Sequence, residues 1–138
     1  MLAAAKKMTL FATGAAARKY MQNLADEQEV DALIADSMIE IFAMESAFLR
    51  ARKKIAKEGE EKSAAQVAVT RVYINDTFPR VTSFARQILA AIYTGEELNT
   101  QLKGLDDLAT YTPVNTVALR REIADSIVPV ARYHLSAA

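Results

Sequence analysis

The residue best placed to do chemistry is Glu45, a carboxylate set into the apolar stripe of a long helical segment, Asp26 to Lys54 (DEQEVDALIADSMIEIFAMESAFLRARKK). Ile34, Ile41, Phe48 and Ile55 recur every seven residues and Met38 follows Ile34 by four, so one face is apolar over about eight turns. Glu45 stands four after Ile41 and three before Phe48, on that same face. A carboxylate there is either a general base or half of an ion pair, since burying it without a partner is costly. The ion pair is the stronger reading, because no nucleophile, metal ligand or cofactor motif accompanies Glu45 in the chain. Its expected partners are Arg52, two turns along, or Arg71 or Arg120 from later helices, and such a pair would fix helix register.

Other groups capable of chemistry are few. The chain has no Cys, which removes disulfides, thiolate metal sites and a cysteine nucleophile together and is compatible with a reducing cytoplasm. His134 stands alone as an imidazole, and one imidazole does not make a metal site. Seventeen basic and seventeen acidic residues give a net charge of zero, which argues against nucleic-acid binding driven by phosphate neutralisation. The run Arg50-Ala-Arg52-Lys53-Lys54 could meet a phosphate or an anionic membrane surface. Glu58, Glu60 and Glu61 follow at once, and a solvated helix end is the simpler reading. The first helix mixes Lys6, Lys7, Arg18 and Lys19 with Met8, Leu10, Phe11, Tyr20 and Met21. That pattern suits a membrane interface but more often packs into a core. Met38 and Met44 read as packing residues.

The elements that must position these groups are helical. At 138 residues one domain with one core is expected. No apolar run approaches the roughly 20 residues needed to cross a bilayer. MLAAAKK with MTLFATG and the following alanines imitates a secretory leader, but its apolar core is short and broken by Thr and Gly. An Ala-rich helix over about Ala3 to Asn23 is the better reading. Asp26 and Glu29 form a capping-box pattern that starts a second helix, and Gly59 ends it after Lys53, Lys54 and Lys57. Ser63 and Gln66 offer a second capping box, leaving Gly59 to Lys62 as a tight connection. Pro79 would normally end a helix. Yet Val67, Ile74, Val81 and Ile88 hold a seven-residue phase across it, with Phe78, Ala85 and Ile92 in a second row. One bent helix is therefore expected in preference to a new one capped by Thr77. Gly95 closes that element, and Glu96 to Tyr111 reads as short helical turns interrupted at Gly104. Thr112-Pro113-Val114-Asn115 is a turn in which Asn115 can cap a last helix running to about His134, with Ile123, Ile127 and Val130 facing inward and Pro129 bending or fraying it. No alternating strand pattern is present. The fold class is all-α, an antiparallel helical bundle of four long helices plus a short helical segment.

Leu24-Ala-Asp-Glu-Gln-Glu-Val30, Ile34-Ala-Asp36, Ile41-Phe-Ala-Met-Glu-Ser-Ala47 and Leu49-Arg50 resemble the C-terminal extension of the larger bacterial acyl-CoA dehydrogenases. Ile92-Tyr-Thr-Gly-Glu96, Tyr111-Thr-Pro-Val-Asn-Thr116 and Ala118-Leu-Arg-Arg121 look similar to later parts of the same extension, so the resemblance spans nearly the whole chain. It implies a parent enzyme that carries FAD, desaturates acyl-CoA thioesters between the α and β carbons in fatty acid metabolism, and passes electrons to an electron-transfer flavoprotein. The base in that family is a glutamate of the dehydrogenase core, often within Ile-Tyr-Glu-Gly-Thr. Here Ile92-Tyr93-Thr94-Gly95 has Thr where that glutamate would stand, and the flavin and substrate segments are absent, so no catalytic residue carries over. The resemblance implies a structural or dimerisation domain, packed on the dehydrogenase core of a homo-oligomer and inactive alone. The rival reading is a free-standing bundle that binds a partner helix or an anionic membrane surface.

Overall fold

The computed structural model describes residues 1–130; the Val130 side chain, His134, and the continuation of the last helix to it, lie outside what is described. Five helices follow in order: α1 (Leu2–Tyr20), α2 (Gln28–Glu58), α3 (Glu60–Ile92), α4 (Gly95–Ala109) and α5 (Thr116–Ile127). A 3-10 segment, Met21–Asp26, joins α1 to α2, and a second, Val128–Val130, follows α5. No strand occurs among the described residues. The fold is all-α, as the periodicity requires. The described chain divides into two compact units, Met1–Phe42 with Thr77–Thr112, and Ala43–Asp76 with the segment from Pro113 onward.

Several boundaries differ from the sequence expectation, each for a local reason. α1 stops at Tyr20 because Met21 turns the backbone to φ 50, and a 3-10 segment takes up the residues assigned to the helix end. Asp26 closes that 3-10 segment and is not the cap of α2. The carbonyl of Glu27 accepts the first helical bond, from the Asp31 N–H at 2.9 Å. The connection between α2 and α3 is shorter than Gly59 to Lys62: Gly59 alone makes it, at φ +85, a conformation open to glycine without steric penalty. Ser63 is consequently inside α3, where its hydroxyl donates to the Gly59 carbonyl at 2.7 Å. Glu60 and Glu61 occupy the first turn of α3 and suit the positive end of its dipole.

α3 runs unbroken through Pro79, which excludes a new helix starting at Thr77. Val81, Ile88, Phe78, Ala85 and Ile92 are all buried, so packing on both sides of the proline outweighs the backbone bond it removes. The stretch expected as broken turns is the single helix α4; Gly104 does not interrupt it, and the ring of Phe11 lies against it. Asn115 caps α5 as expected, its Oδ1 accepting from the Ala118 N–H at 3.0 Å. The α-helical geometry ends at Ile127, two residues before Pro129.

The first unit is built around α1, whose Ala5, Met8, Ala12, Ala15 and Ala16 are fully buried. Alanines on that face let neighbouring backbones approach closely; α1 also packs on α4, with Phe11 against Gly104. Phe78 is its largest fully buried side chain and meets Tyr111 with ring centroids 4.7 Å apart at 60°. Glu40 and Arg80 pair at 3.2 Å in this unit, and Arg86 pairs with Asp106. In the second unit Met44, Ala51, Ser63, Ala68 and Thr70 are buried, with Leu119 of α5. Thr70 donates to the carbonyl of Gln66 at 2.9 Å and reaches that of Ala47 at 3.4 Å, tying the two helices of this unit's hairpin. The N–H of Val114 donates to Asn75 Oδ1 at 3.1 Å, anchoring the turn that leads into α5.

Candidate functional site

Heptad geometry explains where the residues of α2 face. Val30, Ser37, Met44 and Ala51 recur every seven residues and are all buried, together with Ile34. Ile41 and Ile55 are half-buried, and Phe48 is exposed. The inward seam is thus centred on smaller residues than the Ile34–Ile41–Phe48–Ile55 row. Met38 stands outside it, 54% exposed, so the expectation that it fills the core is wrong while that for Met44 is right. The hydroxyls on the seams satisfy themselves within their own helices. Ser37 donates to the Leu33 carbonyl at 2.8 Å, as Thr70 and Ser63 do to carbonyls four residues back. A small side chain whose polar atom is already bonded can be buried at little penalty.

Glu45 is half-buried and is not a free carboxylate. The three arginines expected around it have different surroundings. Arg52 is exposed, with its guanidinium carbon 5.8 Å from the centre of the Phe48 ring, a cation–π contact. Arg120 pairs with Asp76. Arg71 lines a cleft of about 360 Å³ in the second unit, floored by Ile55, Ala64, Val67 and Leu119 and rimmed by Glu60 and Glu122. Another cleft, of about 300 Å³, lies in the first unit against Pro79, Thr82, Arg86 and Tyr111.

The basic run at the end of α2 divides. Arg50, Arg52 and Lys53 are exposed as expected, but Lys54 is only 5% exposed, its ammonium 4.0 Å from Glu58. Lys54 follows Ala51 by three residues and so lies on the seam, where its aliphatic stem can be covered while the ammonium reaches the neighbouring carboxylate. Helix one likewise divides: Met8 is buried and Phe11 and Tyr20 are half-buried, while Leu10 and Met21 are among the most exposed apolar side chains.

Among the described residues no group of three or more His, Cys, Asp or Glu could hold a metal ion. None of the helices described is long and apolar enough to cross a membrane. Tyr93 and Thr94 are the connector between α3 and α4, and Thr94 takes an extended conformation ahead of Gly95. The Ile92-Tyr-Thr-Gly stretch is therefore a helix junction. The described helices form an all-α fold.

The comparisons place that domain. Residues 4–106 match the family "Acyl-CoA dehydrogenase, C-terminal domain". The chain is 38% identical over 129 residues to a probable acyl-CoA dehydrogenase of Bacillus subtilis (strain 168), covering 94% of the chain and 22% of that protein. The crystal structure of an acyl-CoA dehydrogenase complexed with FAD from Bacillus anthracis superimposes with a TM-score of 0.93 at 37% identity, over 97% of this chain and 23% of that one. The chain belongs to the acyl-CoA dehydrogenase C-terminal domain family and spans less than a quarter of the length of these relatives.

Proposed function

We propose that the chain serves as the C-terminal helical domain of a FAD-dependent acyl-CoA dehydrogenase, docking on the flavin-binding core and contributing to subunit contacts, without redox chemistry of its own. The observation that carries this reading is the disproportion of the alignment: 94% of the chain is matched by 22% of a relative several times its length. The residues present do not fit a flavin dinucleotide. The larger cleft described has an aliphatic floor, one guanidinium from Arg71, and two carboxylates, Glu60 and Glu122, that would repel a pyrophosphate. No glycine-rich loop precedes a helix to cradle phosphates. FAD and acyl-CoA accordingly belong to the remainder of a parent enzyme. Glu45 is in this reading a structural group, pairing with Arg52 or Arg71 to hold helix register. A core of the Bacillus subtilis relative, truncated before the matched region, tests the assignment. The 138-residue chain supplied in trans should co-elute with that core and leave free FAD fluorescence unchanged by itself. Flavin binding by the chain alone, or failure to associate with the core, would refute it.

A further inference from the structure

The joint between α1 and α2 is held against its own preferences. Met21 takes φ 50 and ψ −118, the single positive φ outside glycine among the described residues. Those angles belong to the first central position of a type II′ turn, normally a glycine because a Cβ crowds the neighbouring carbonyls there. The 3-10 segment Met21–Asp26 runs for six residues, where runs beyond about four are uncommon, and none of its residues is buried. Its sequence asks for neither feature. Met, Gln, Leu and Ala favour an α-helix, and no Gly or Pro occurs between Gly14 and Gly59. The bend is therefore imposed from either side, where Met8, Ala12 and Ala16 of α1 and Val30 and Ile34 of α2 are buried.

α1, in turn, is lightly held. Of its six buried residues, Ala5, Ala12, Ala15 and Ala16 cover little apolar area and only Met8 is large. The hydroxyls of Thr9 and Thr13, one turn apart on α1, are buried without a hydrogen-bond partner among the described residues, and both would regain one from water if α1 withdrew. Strain at Met21 and unmet hydroxyls at Thr9 and Thr13 thus weigh on the same side. We propose that the joint is a hinge and α1 a releasable strap. Closed, α1 packs on α4 and Met21 carries the strain. Open, α1 leaves the first unit, Met21–Asp26 becomes α-helical, and α1 continues into the start of α2 as one rod. Strained backbone persists only where its surroundings impose it, so release of α1 lets Met21 relax. The device makes α1 the element of the first unit that opens and recloses while the rest stays folded.

The inference stands apart from the dehydrogenase reading, and its tests need neither flavin nor a core. In native-state hydrogen exchange followed by NMR and corrected for intrinsic rates, α1 amides should exchange roughly a hundredfold or more faster than those of Ile88 and Leu89 in α3. Met21→Gly relieves the bent state and weakens the straight helix, so it should slow α1 exchange about tenfold. Met21→Ala keeps a Cβ and trims a side chain that is 77% exposed, so it should change those rates by less than about twofold. Ala12→Asp puts a charge into the buried face and should hold α1 open, with the Cα chemical shifts of residues 21–26 becoming α-helical while the Phe78 ring signals stay native. Equal exchange in α1 and α3, or equal effects of the two Met21 variants, would overturn the proposal. So would random-coil shifts at residues 21–26 in an Ala12→Asp protein whose Phe78 signals are native; if that variant unfolds, the Met21 pair decides.

Discussion

Gly59 and Gly104 are the same residue type with opposite expectations. Gly59 sits at φ +85, so Gly59→Ala should lower stability by about 1–2 kcal/mol through left-handed strain. Gly104 is helical, and an added methyl would meet Phe11 at an ordinary 3.6 Å, so Gly104→Ala should raise stability by about 0.5–1 kcal/mol. Thermal melts followed by circular dichroism decide both, at about 3 °C per kcal/mol for a domain of this size. Buried Thr9 Oγ1 finds no hydrogen-bond partner among the described residues, so Thr9→Val should raise the melting temperature; a fall would reveal a partner for the hydroxyl. At this scale the sequence is least legible. Glu45 announces itself as a carboxylate on an apolar row, but Lys54 reads as one of four surface cations and only the seam geometry shows it covered. Ser37, Ser63 and Thr70 are likewise missed, because a hydroxyl bonded to its own helix packs like a small apolar group.

Helices are far more legible than their ends. The heptad phase across Pro79 carries α3 correctly through a residue that usually breaks helices, because burial of Phe78, Val81 and Ile88 supplies more than one lost backbone bond. The Asn115 cap is legible because the turn at Thr112-Pro113 precedes it and Asn is a stronger cap than the adjacent Thr116. Asn115→Ala should cost about 1 kcal/mol, with Asn115→Asp retaining most of it; equal losses in the two variants would show that the side-chain oxygen is not the cause. The capping boxes at Asp26 and Ser63 mislead for one reason. Each motif is local, and a neighbouring backbone feature took over its position: the 3-10 segment after Met21 in one case, Gly59 in the other. The spacing of four from Ile34 also assigns Met38 to the core, since two apolar stripes on one helix cannot be separated without knowing which is covered.

For the molecule as a whole, the all-α class is legible from the absence of alternating segments, and the family from stretches spread along nearly the whole chain. A site for flavin or substrate was not legible in the sequence, whose conspicuous patterns are all patterns of packing. The single-residue joint at Gly59 has a further consequence, for the order in which the structure forms. In the second unit Ala47 and Thr70, 23 residues apart, meet across that joint; the first unit has one closure as short, Arg86 to Asp106, but must also bring Glu40 to Arg80 and Met8 to Thr82. Short closures are entropically easier and form first. The hairpin about Gly59 should therefore be the folding nucleus. In stopped-flow refolding, Ala51→Gly should slow folding nearly in proportion to its loss of stability, while Phe78→Ala should chiefly hasten unfolding. The reverse pattern would place the nucleus in the first unit. If the hairpin does come first, the turn that ends one helix and begins the next also acts as the clock for the rest of the chain.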